Sequence, residues 1–537
     1  MARLWINRLL RGLLGLTFFS VLFRLALINL GLSKSLLRGY NPVIVGVFLC
    51  LIAVIVLSPP AGKTTRARIS LFLLFFMVTL SIIPLSMTMQ FMGVNDVSTI
   101  LLFLQGNSAS EAVNIGLATS AKEIVSELLN FAVFLASAWF LLRSAARFAG
   151  VLALTTAALL WFHPIVTYLY RSWFPAPEHA LLINNPALSA PKITAYPETR
   201  LNVVFIALEG YEQTWAELKE TAPYVSDITN LRQQAARFTD IHMVSGANNS
   251  LAGMMAMLCG VPHLPRNTFG VTQASLTVNA GHFISGIRCL PDILHAQGYQ
   301  TVFSMGASPD KYSFGDFLRS HSIDTLHAFN DFPKSIRQGD SLLWGVRDND
   351  IFDFVDTQLA QFAKSDKPFF LSLLTIATHG PNGFPDIGCV PKGEDANQYA
   401  YTLRCTAAHV SKLINRLDEL GLRDNTLIVI ASDHLSWPTK FTDRLNANGH
   451  RRNLVLLLDP ARTPQVIDKP GTAFDVYPSI LKKLGYSLKN DRAYLGTSLL
   501  SPTPSLTTRL GPDRLSKAIK GNMALSRKIW APDAFAK

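Results

Sequence analysis

Apolar positions follow two regimes along this chain. In the first 170 residues they form long runs: residues 41–58, 69–95, 128–142 and 148–170 contain no Asp, Glu, Lys or Arg. A helix crosses a bilayer core of about 30 Å with about 20 mostly apolar residues. Five segments approach that length, roughly 12–31, 41–58, 69–91, 124–143 and 148–169. They predict a five-helix transmembrane domain over residues 1–170. The stretch 97–105 is too short to span. A cleaved signal peptide would need a small-residue site soon after the first run, and LINLGLSKSLLRG offers none.

The second regime begins at residue 201. Residues 171–200 hold five prolines and little periodicity, which reads as a linker. Beyond them, short β-branched runs alternate with amphipathic stretches. The strand candidates are 201–208, 301–305, 369–376, 426–431 and 453–458; the helical ones lie near 250–259, 288–297, 348–363, 396–420 and 474–484. Apolar strands alternating with helices predict an α/β domain, a mostly parallel sheet with helices on both faces, over residues 201–500. Residues 501–537 read as a C-terminal tail that packs on the surface.

Charge adds a direction. The chain has 49 Lys+Arg against 37 Asp+Glu, a net +12, and only 16% charged residues over 537, against about 25% in soluble domains. Mean hydropathy is +0.25. Disorder, collagen and a small disulfide scaffold are excluded. Arg3, Arg8, Arg11, Lys63, Arg66, Arg68, Arg143 and Arg147 flank the spans on one side, against Lys34, Arg38, Lys122 and Arg171 on the other. The positive side faces the cytoplasm, so an odd number of spans puts residues after 170 outside. Cysteines agree: Cys259, Cys289, Cys389 and Cys405 all fall in the exported part, where disulfides form. Of three pairings, Cys259–Cys289 and Cys389–Cys405 close the shorter loops. None shows CxxC spacing, and four buried thiols are the plainer alternative.

Candidate chemistry sits where strands end, since open α/β sheets bind ligands beyond the carboxyl ends of their strands. Strand 201–208 runs into Glu209, strand 426–431 into Asp433-His434, and strand 369–376 into Thr378-His379. Ser250 stands where the loop GANN turns into an apolar helix. Two carboxylates and an imidazole form a mixed O/N set suited to Mn²⁺, Zn²⁺ or Mg²⁺. A metal and a helix N-terminus would both activate a serine hydroxyl. Each residue alone has a plainer reading: Ser250 as a helix cap, Asp433-His434 as a turn, Glu209 as a surface acid.

Seven blocks in order, LNVVFIALEGYEQTW, SGANNSLAGMMAMLCGVP, RCLPDILHAQGY, WGVRDNDIFDF, FFLSLLTIATHGP, IVIASDHLSWP and HRRNLVLLLDP, resemble the phosphoglycerol transferase I family. More distantly they resemble lipoteichoic acid synthase and the lipid A phosphoethanolamine transferases, all within the alkaline phosphatase and sulfatase superfamily. The resemblance implies an alkaline-phosphatase-like sheet and one divalent metal, Mn²⁺ foremost, with Zn²⁺ or Mg²⁺ as alternatives. It implies Glu209, Ser250, Asp433 and His434 as metal ligands, and Ser250 as nucleophile where the family has threonine. His379 would be a substrate-side histidine, and Arg451 and Arg452 would contact substrate. It further implies a phosphatidylglycerol donor, an envelope glycan acceptor and membrane lipids as partners, with no nucleic acid. The location implied is the bacterial inner membrane, multi-pass, with the catalytic domain on the periplasmic side. Two departures stand out. Asn248-Asn249 replace the family's Gly-Trp, and SLAGM lacks the Pro and Arg of the C/S-x-P-x-R motif that sulfatase activity requires. A phosphoethanolamine transferase, a lipid phosphodiesterase and a non-catalytic membrane scaffold are the competing readings.

Overall fold

A computed structural model of the chain describes residues 2–29, 50–61, 65–91, 121–161, 163, 165–167, 170, 174–183, 188–264, 283–310, 313–337 and 345–531. The chain divides into two units, one within Met1–Phe174 and one from Pro175 to Lys537.

In the first unit, helices α1 (Ala2–Asn29), α2 (Arg66–Phe91), α3 (Ala121–Ser144) and α4 (Phe148–Trp161) overlap four of the five expected spans. The segment 41–58 is described only from Cys50. Their shared core is aromatic: Phe18 stacks on Phe134 with centroids 4.9 Å apart and meets Phe148 edge-on at 5.4 Å. Such pairs favour offset or edge contacts. The outward faces carry Leu9, Leu13, Leu73, Met77, Leu129 and Leu154. Among the described residues, no helix is long and apolar enough to cross a membrane. The five-span domain is therefore not shown.

The second unit is built on an eight-stranded sheet among the described residues. Its strands are β1 (Asn202–Leu208), β2 (Ala236–Phe238), β3 (Gln300–Met305), β4 (Thr325–His327), β5 (Phe369–Leu374), β6 (Thr426–Ser432), β7 (Val455–Leu458) and β8 (Gln465–Ile467). The order is β8-β2-β7-β6-β1-β5-β3-β4. The five strands from β6 to β4 are parallel, but β7 runs antiparallel to both of its neighbours. The sheet is thus mixed rather than uniformly parallel. Strands β2, β4 and β8 span three residues each, too few to register as a hydrophobic period.

Strand β1 shows why the sheet lies inside. Its side chains alternate between faces: Val203, Phe205 and Ala207 enter one core, Val204, Ile206 and Leu208 the other. Helices α5 (Ser250–Cys259), α6 (Leu290–His295) and α9 (Val476–Lys483) pack on the first face; α7 (Asp348–Phe362) and α8 (Gln398–Glu419) pack on the second. Helix α8 buries Leu403, Ala407, Val410, Ile414 and Leu417, the three- and four-residue spacing of a one-sided helix. Leu515, Ala518, Ile519, Leu525 and Ile529 are buried in the first core, so the segment after 501 contributes to the packing of the domain. Both expected disulfides are present. Cys259–Cys289 joins the end of α5 to the residue before α6, and Cys389–Cys405 joins a loop to α8.

Candidate active site

Two central strands and one helix start bring the site together. Strand β1 is buried along its length and ends at Glu209, which is 3% exposed. The Glu209 N–H donates to Thr375 Oγ1 at 3.0 Å, and Thr378 Oγ1 donates to the Glu209 carbonyl. The segment after β5 thereby fixes the end of β1. Strand β6 continues into Asp433, whose N–H donates to the Leu208 carbonyl at 3.2 Å. Asp433 Oδ1 accepts from Gly210 N at 2.8 Å and His434 N at 2.7 Å. One carboxylate oxygen is structural, and Oδ2 is left over.

Helix α5 begins differently from the plain expectation for Ser250. Asn249 is the cap, its side chain accepting from Ala252 N at 3.0 Å. Ser250 is the first helical residue, and its Oγ donates to Glu209 Oε2 at 2.9 Å. Gly253 sets how close the helix comes: a Cβ there would lie 2.0 Å from the Asp433 carbonyl oxygen. Any side chain at 253 would push Ser250 away from the strand ends.

His434 completes the cluster. Its Nδ1 donates to the Leu435 carbonyl at 2.7 Å, which leaves Nε2 as the ring nitrogen facing the two carboxylates. Nε2 lies 3.3 Å from Glu209 Oε1 and 3.4 Å from Asp433 Oδ2, neither contact aligned as a hydrogen bond. Burial pushes the Asp433 carboxyl up to about 7, with the Glu209 charge adding to the effect. Burial would lower His434, yet Asp433 and Glu209 outweigh it and raise the ring to about 10. Burial would raise Glu209, yet His434 and His379 outweigh it and bring it down to about 2. All three shifts express one demand, a positive charge among these groups.

The donor set fits a divalent cation. Ligand atoms of Glu209, Asp433 and His434 lie within 4.8 Å of one another, all buried. Among the described residues Asp433 Oδ2 and His434 Nε2 are buried without a hydrogen-bond partner, which is costly unless something else satisfies them. A second cluster, Cys289, Asp292 and His321, has its sulfur committed to a disulfide.

The remaining expected residues are spread around this point. His379 is half-buried, its Nδ1 donates to the Gly380 carbonyl at 2.8 Å, and its ring meets Trp437 edge-on with centroids 4.9 Å apart. Trp437 also faces His434 at 5.8 Å. Arg451 pairs with Glu212, and Arg452 Nε pairs with Asp240 at 2.5 Å. Sequence reasoning missed Glu212, Tyr399 and Ser436, which lie beneath the site. Glu212 is 1% exposed, and its position three residues after Glu209 was the one available signal.

A mixed α/β sheet of this order, with its polar cluster past the carboxyl ends of the central strands, has the alkaline-phosphatase-like architecture. The chain belongs to the sulfatase family, whose profile matches residues 201–486, more than half of its length. Among curated relatives, phosphoglycerol transferase I of Xanthomonas campestris is 30% identical over 349 residues, covering 62% of this chain and 47% of that protein. Phosphoglycerol transferase I of Citrobacter koseri is 28% identical over 279 residues, 51% of this chain and 36% of that one. The chain thus spans at most about half the length of these relatives. The crystal structure of the lipoteichoic acid synthase LtaP from Listeria monocytogenes superposes with a TM-score of 0.50 at 14% identity, covering 65% of this chain and 98% of that chain. That likeness is one of fold.

Proposed function

We propose that this protein is a membrane-anchored phosphotransferase that moves glycerophosphate from phosphatidylglycerol to an envelope glycan through a covalent intermediate on Ser250. One observation carries the reading: Ser250 Oγ donates to Glu209 Oε2 at 2.9 Å from the first position of a helix. A hydroxyl held there meets the charge of a phosphodiester with helix N–H groups behind it. The names of the curated relatives supply the substrate class. The missing Pro and Arg in SLAGM argue against sulfatase activity.

Glu209, Ser250, Asp433 and His434 would hold the cation, with Mn²⁺ first and Zn²⁺ or Mg²⁺ as alternatives. Bound there, it lowers the pKa of the serine hydroxyl and offsets phosphate charge. Ser250 Oγ forms the new bond to phosphorus, the bond from phosphorus to the diacylglycerol oxygen breaks, and diacylglycerol leaves. Glu209 Oε2 orients the serine hydroxyl, whose proton is lost to solvent before the oxygen attacks, so that Ser250 reacts and is later released as the oxyanion. His379 gives a proton to the leaving oxygen; with Nδ1 donating to Gly380, Nε2 is the nitrogen that does so. A glycan hydroxyl then attacks phosphorus, its proton returns to His379, and Ser250 is released.

The anchor belongs to the same reading. All but four of the exposed large apolar side chains among the described residues lie in the first unit, the exceptions being Tyr196, Met243, Ile387 and Val466. Apolar surface on that scale marks contact with lipid or protein. With the five sequence spans, the positive-inside balance and two disulfides, it supports a multi-pass inner-membrane protein whose second unit is periplasmic. The test is to incubate the purified full chain with labelled phosphatidylglycerol, or with labelled phosphatidylethanolamine, and to map the adduct by mass spectrometry. Glycerophosphate on the Ser250 peptide is expected. Phosphoethanolamine there instead would change the donor, and no adduct from either lipid would end the covalent reading.

A further inference from the structure

Ser436 lies two residues beyond His434, and both of its main-chain groups end on one ion pair. Its N–H donates to Glu212 Oε1 at 3.2 Å, and its carbonyl accepts from Arg451 Nη2 at 2.8 Å. Arg451 grips Glu212 through Nε, 3.0 Å from Oε2, and Nη2, 2.5 Å from Oε1. Arg451 Nη1 donates to Asn446 Oδ1 at 3.3 Å. A guanidinium has five N–H donors, so these contacts commit four of them and leave little for a substrate phosphate. Glu212 is three residues after Glu209. The pair therefore joins the loop after β1 to the loop after β6, the two that carry the candidate ligands.

The junction is close-packed. Gly210, at φ +53°, lies against Ser436, and a Cβ at 210 would be 3.1 Å from the Ser436 Cα. Ser436 Oγ and Tyr399 OH are 3.1 Å apart, and Tyr399 OH donates to the Thr378 carbonyl at 2.9 Å. Thr378 Oγ1 in turn donates to the Glu209 carbonyl. The chain of contacts returns to the first ligand.

We infer that Arg451 is a positioning residue which, with Glu212, sets the Asp433–His434 loop against the Glu209 loop, and that it does not bind the substrate phosphate. Arg452 differs: its Nε and Nη1 are engaged by Asp240 and the Arg451 carbonyl, while its Nη2 has no hydrogen-bond partner among the described residues. The inference rests on Glu209, Asp433 and His434 being a metal site. It predicts that disturbing the ion pair acts on metal affinity first.

The experiment titrates the purified full chain with Mn²⁺, following free Mn²⁺ by electron paramagnetic resonance. Arg451→Ala should weaken Mn²⁺ binding by about 10-fold, the lower end of the effect of losing a direct outer partner of a metal ligand, since Arg451 reaches the ligands only through Glu212 and Ser436. Glu212→Gln, which keeps an acceptor for Ser436 N, should shift it in the same direction by less. The double variant should be no weaker than Arg451→Ala, because both changes break one network. Excess Mn²⁺ should restore kcat, with the KM for lipid donor little changed. Glu212→Gln alone carries the test if Arg451→Ala does not fold. Wild-type affinity in both variants, with only the donor KM raised in Arg451→Ala, would make Arg451 a phosphate ligand and overturn the inference. A wild-type chain that binds no Mn²⁺ would remove the metal-site reading and this inference with it.

Discussion

Among the described residues, guanidinium groups pair with carboxylates only in the second unit. In the first, Arg11 donates to the carbonyls of Ser58, at 2.7 Å, and Ser144. Arg68 donates to those of Leu142 and Ala146, each at 3.2 Å. In the second, the partly buried Arg451 grips a buried carboxylate, while the fully buried Arg423 turns to the carbonyls of Thr426 and Asp459. Composition explains the difference: residues 1–174 contain only Asp96, Glu111, Glu123 and Glu127 as acids. Guanidinium groups there turn to carbonyls near helix ends, which lack intrahelical donors. The apolar side chains differ too: in the first unit many face outward around an aromatic core, whereas in the second nearly all of the large ones face inward. One unit exposes apolar surface, whereas the other encloses a polar cluster within an apolar core.

The sharpest blow to the polar cluster is loss of its hydroxyl. Ser250→Ala should lower kcat by at least about 10⁴-fold, in line with losing a nucleophile, while thermal unfolding stays close to wild type. Ser250→Thr should keep measurable turnover, since threonine supplies the same oxygen. Activity in Ser250→Ala near wild type would remove the covalent mechanism and leave the cluster merely structural.

How much of this contrast the sequence carried depends on range. The central strands were legible because each is a short run of buried, mostly apolar residues: the expected 426–431 is observed as β6, Thr426–Ser432. Glu209, Ser250, Asp433 and His434 were legible because each marks an abrupt change from apolar to polar at an element's end. The antiparallel direction of β7 was not, because pairing direction leaves no mark in a four-residue apolar strand. Nor was the role of Asn249 as the cap of α5, since Asn and Ser are about equally good caps. Glu212 and Arg451 meet across 239 positions, and no local pattern reports a contact of that span.

The outward apolar faces allow a matched test. Leu73 and Val466 are 54% and 58% exposed, one in α2 and the other in edge strand β8. In lipid, Leu73→Lys should cost about 2.5–3.5 kcal/mol; in water, Val466→Lys should stay within about 0.5 kcal/mol. Membrane integration after alkaline extraction, measured with thermal stability, reads the pair. Equal tolerance of both changes would mean that the Leu73 face does not meet lipid.

Metal removal probes the second unit from the other side. Chelation should abolish turnover and lower the melting temperature, and Mn²⁺ or Zn²⁺ should restore both. A cation at a hundred times its Kd stabilises the native state by about 2.7 kcal/mol, less if unfolded chain also binds it. Asp433→Asn should lose most of that increment, because Oδ2 is the buried atom left without a partner. An unchanged melting temperature across chelation and metal return would count against the site.

The smallest effect concerns His263, which the second unit buries in neutral form. Its ring is 7% exposed, its Nδ1 has no hydrogen-bond partner among the described residues, and burial holds it down to about 4, against about 6.5 in an unfolded chain. Between those values the unfolded state binds a proton that the native state does not. Stability from this group is therefore fully present above about pH 6.5 and falls as pH drops toward 4, by at most about 1.4 kcal/mol per pH unit. His263→Gln removes the titration while other groups keep theirs, so the gap in stability between the two proteins should change across pH 4–6.5 and level off above it. Melting temperatures taken every half unit of pH read that gap. A constant difference between variant and wild type through the window would show that His263 takes up its proton without unfolding, and so is not enclosed as the packing around it requires.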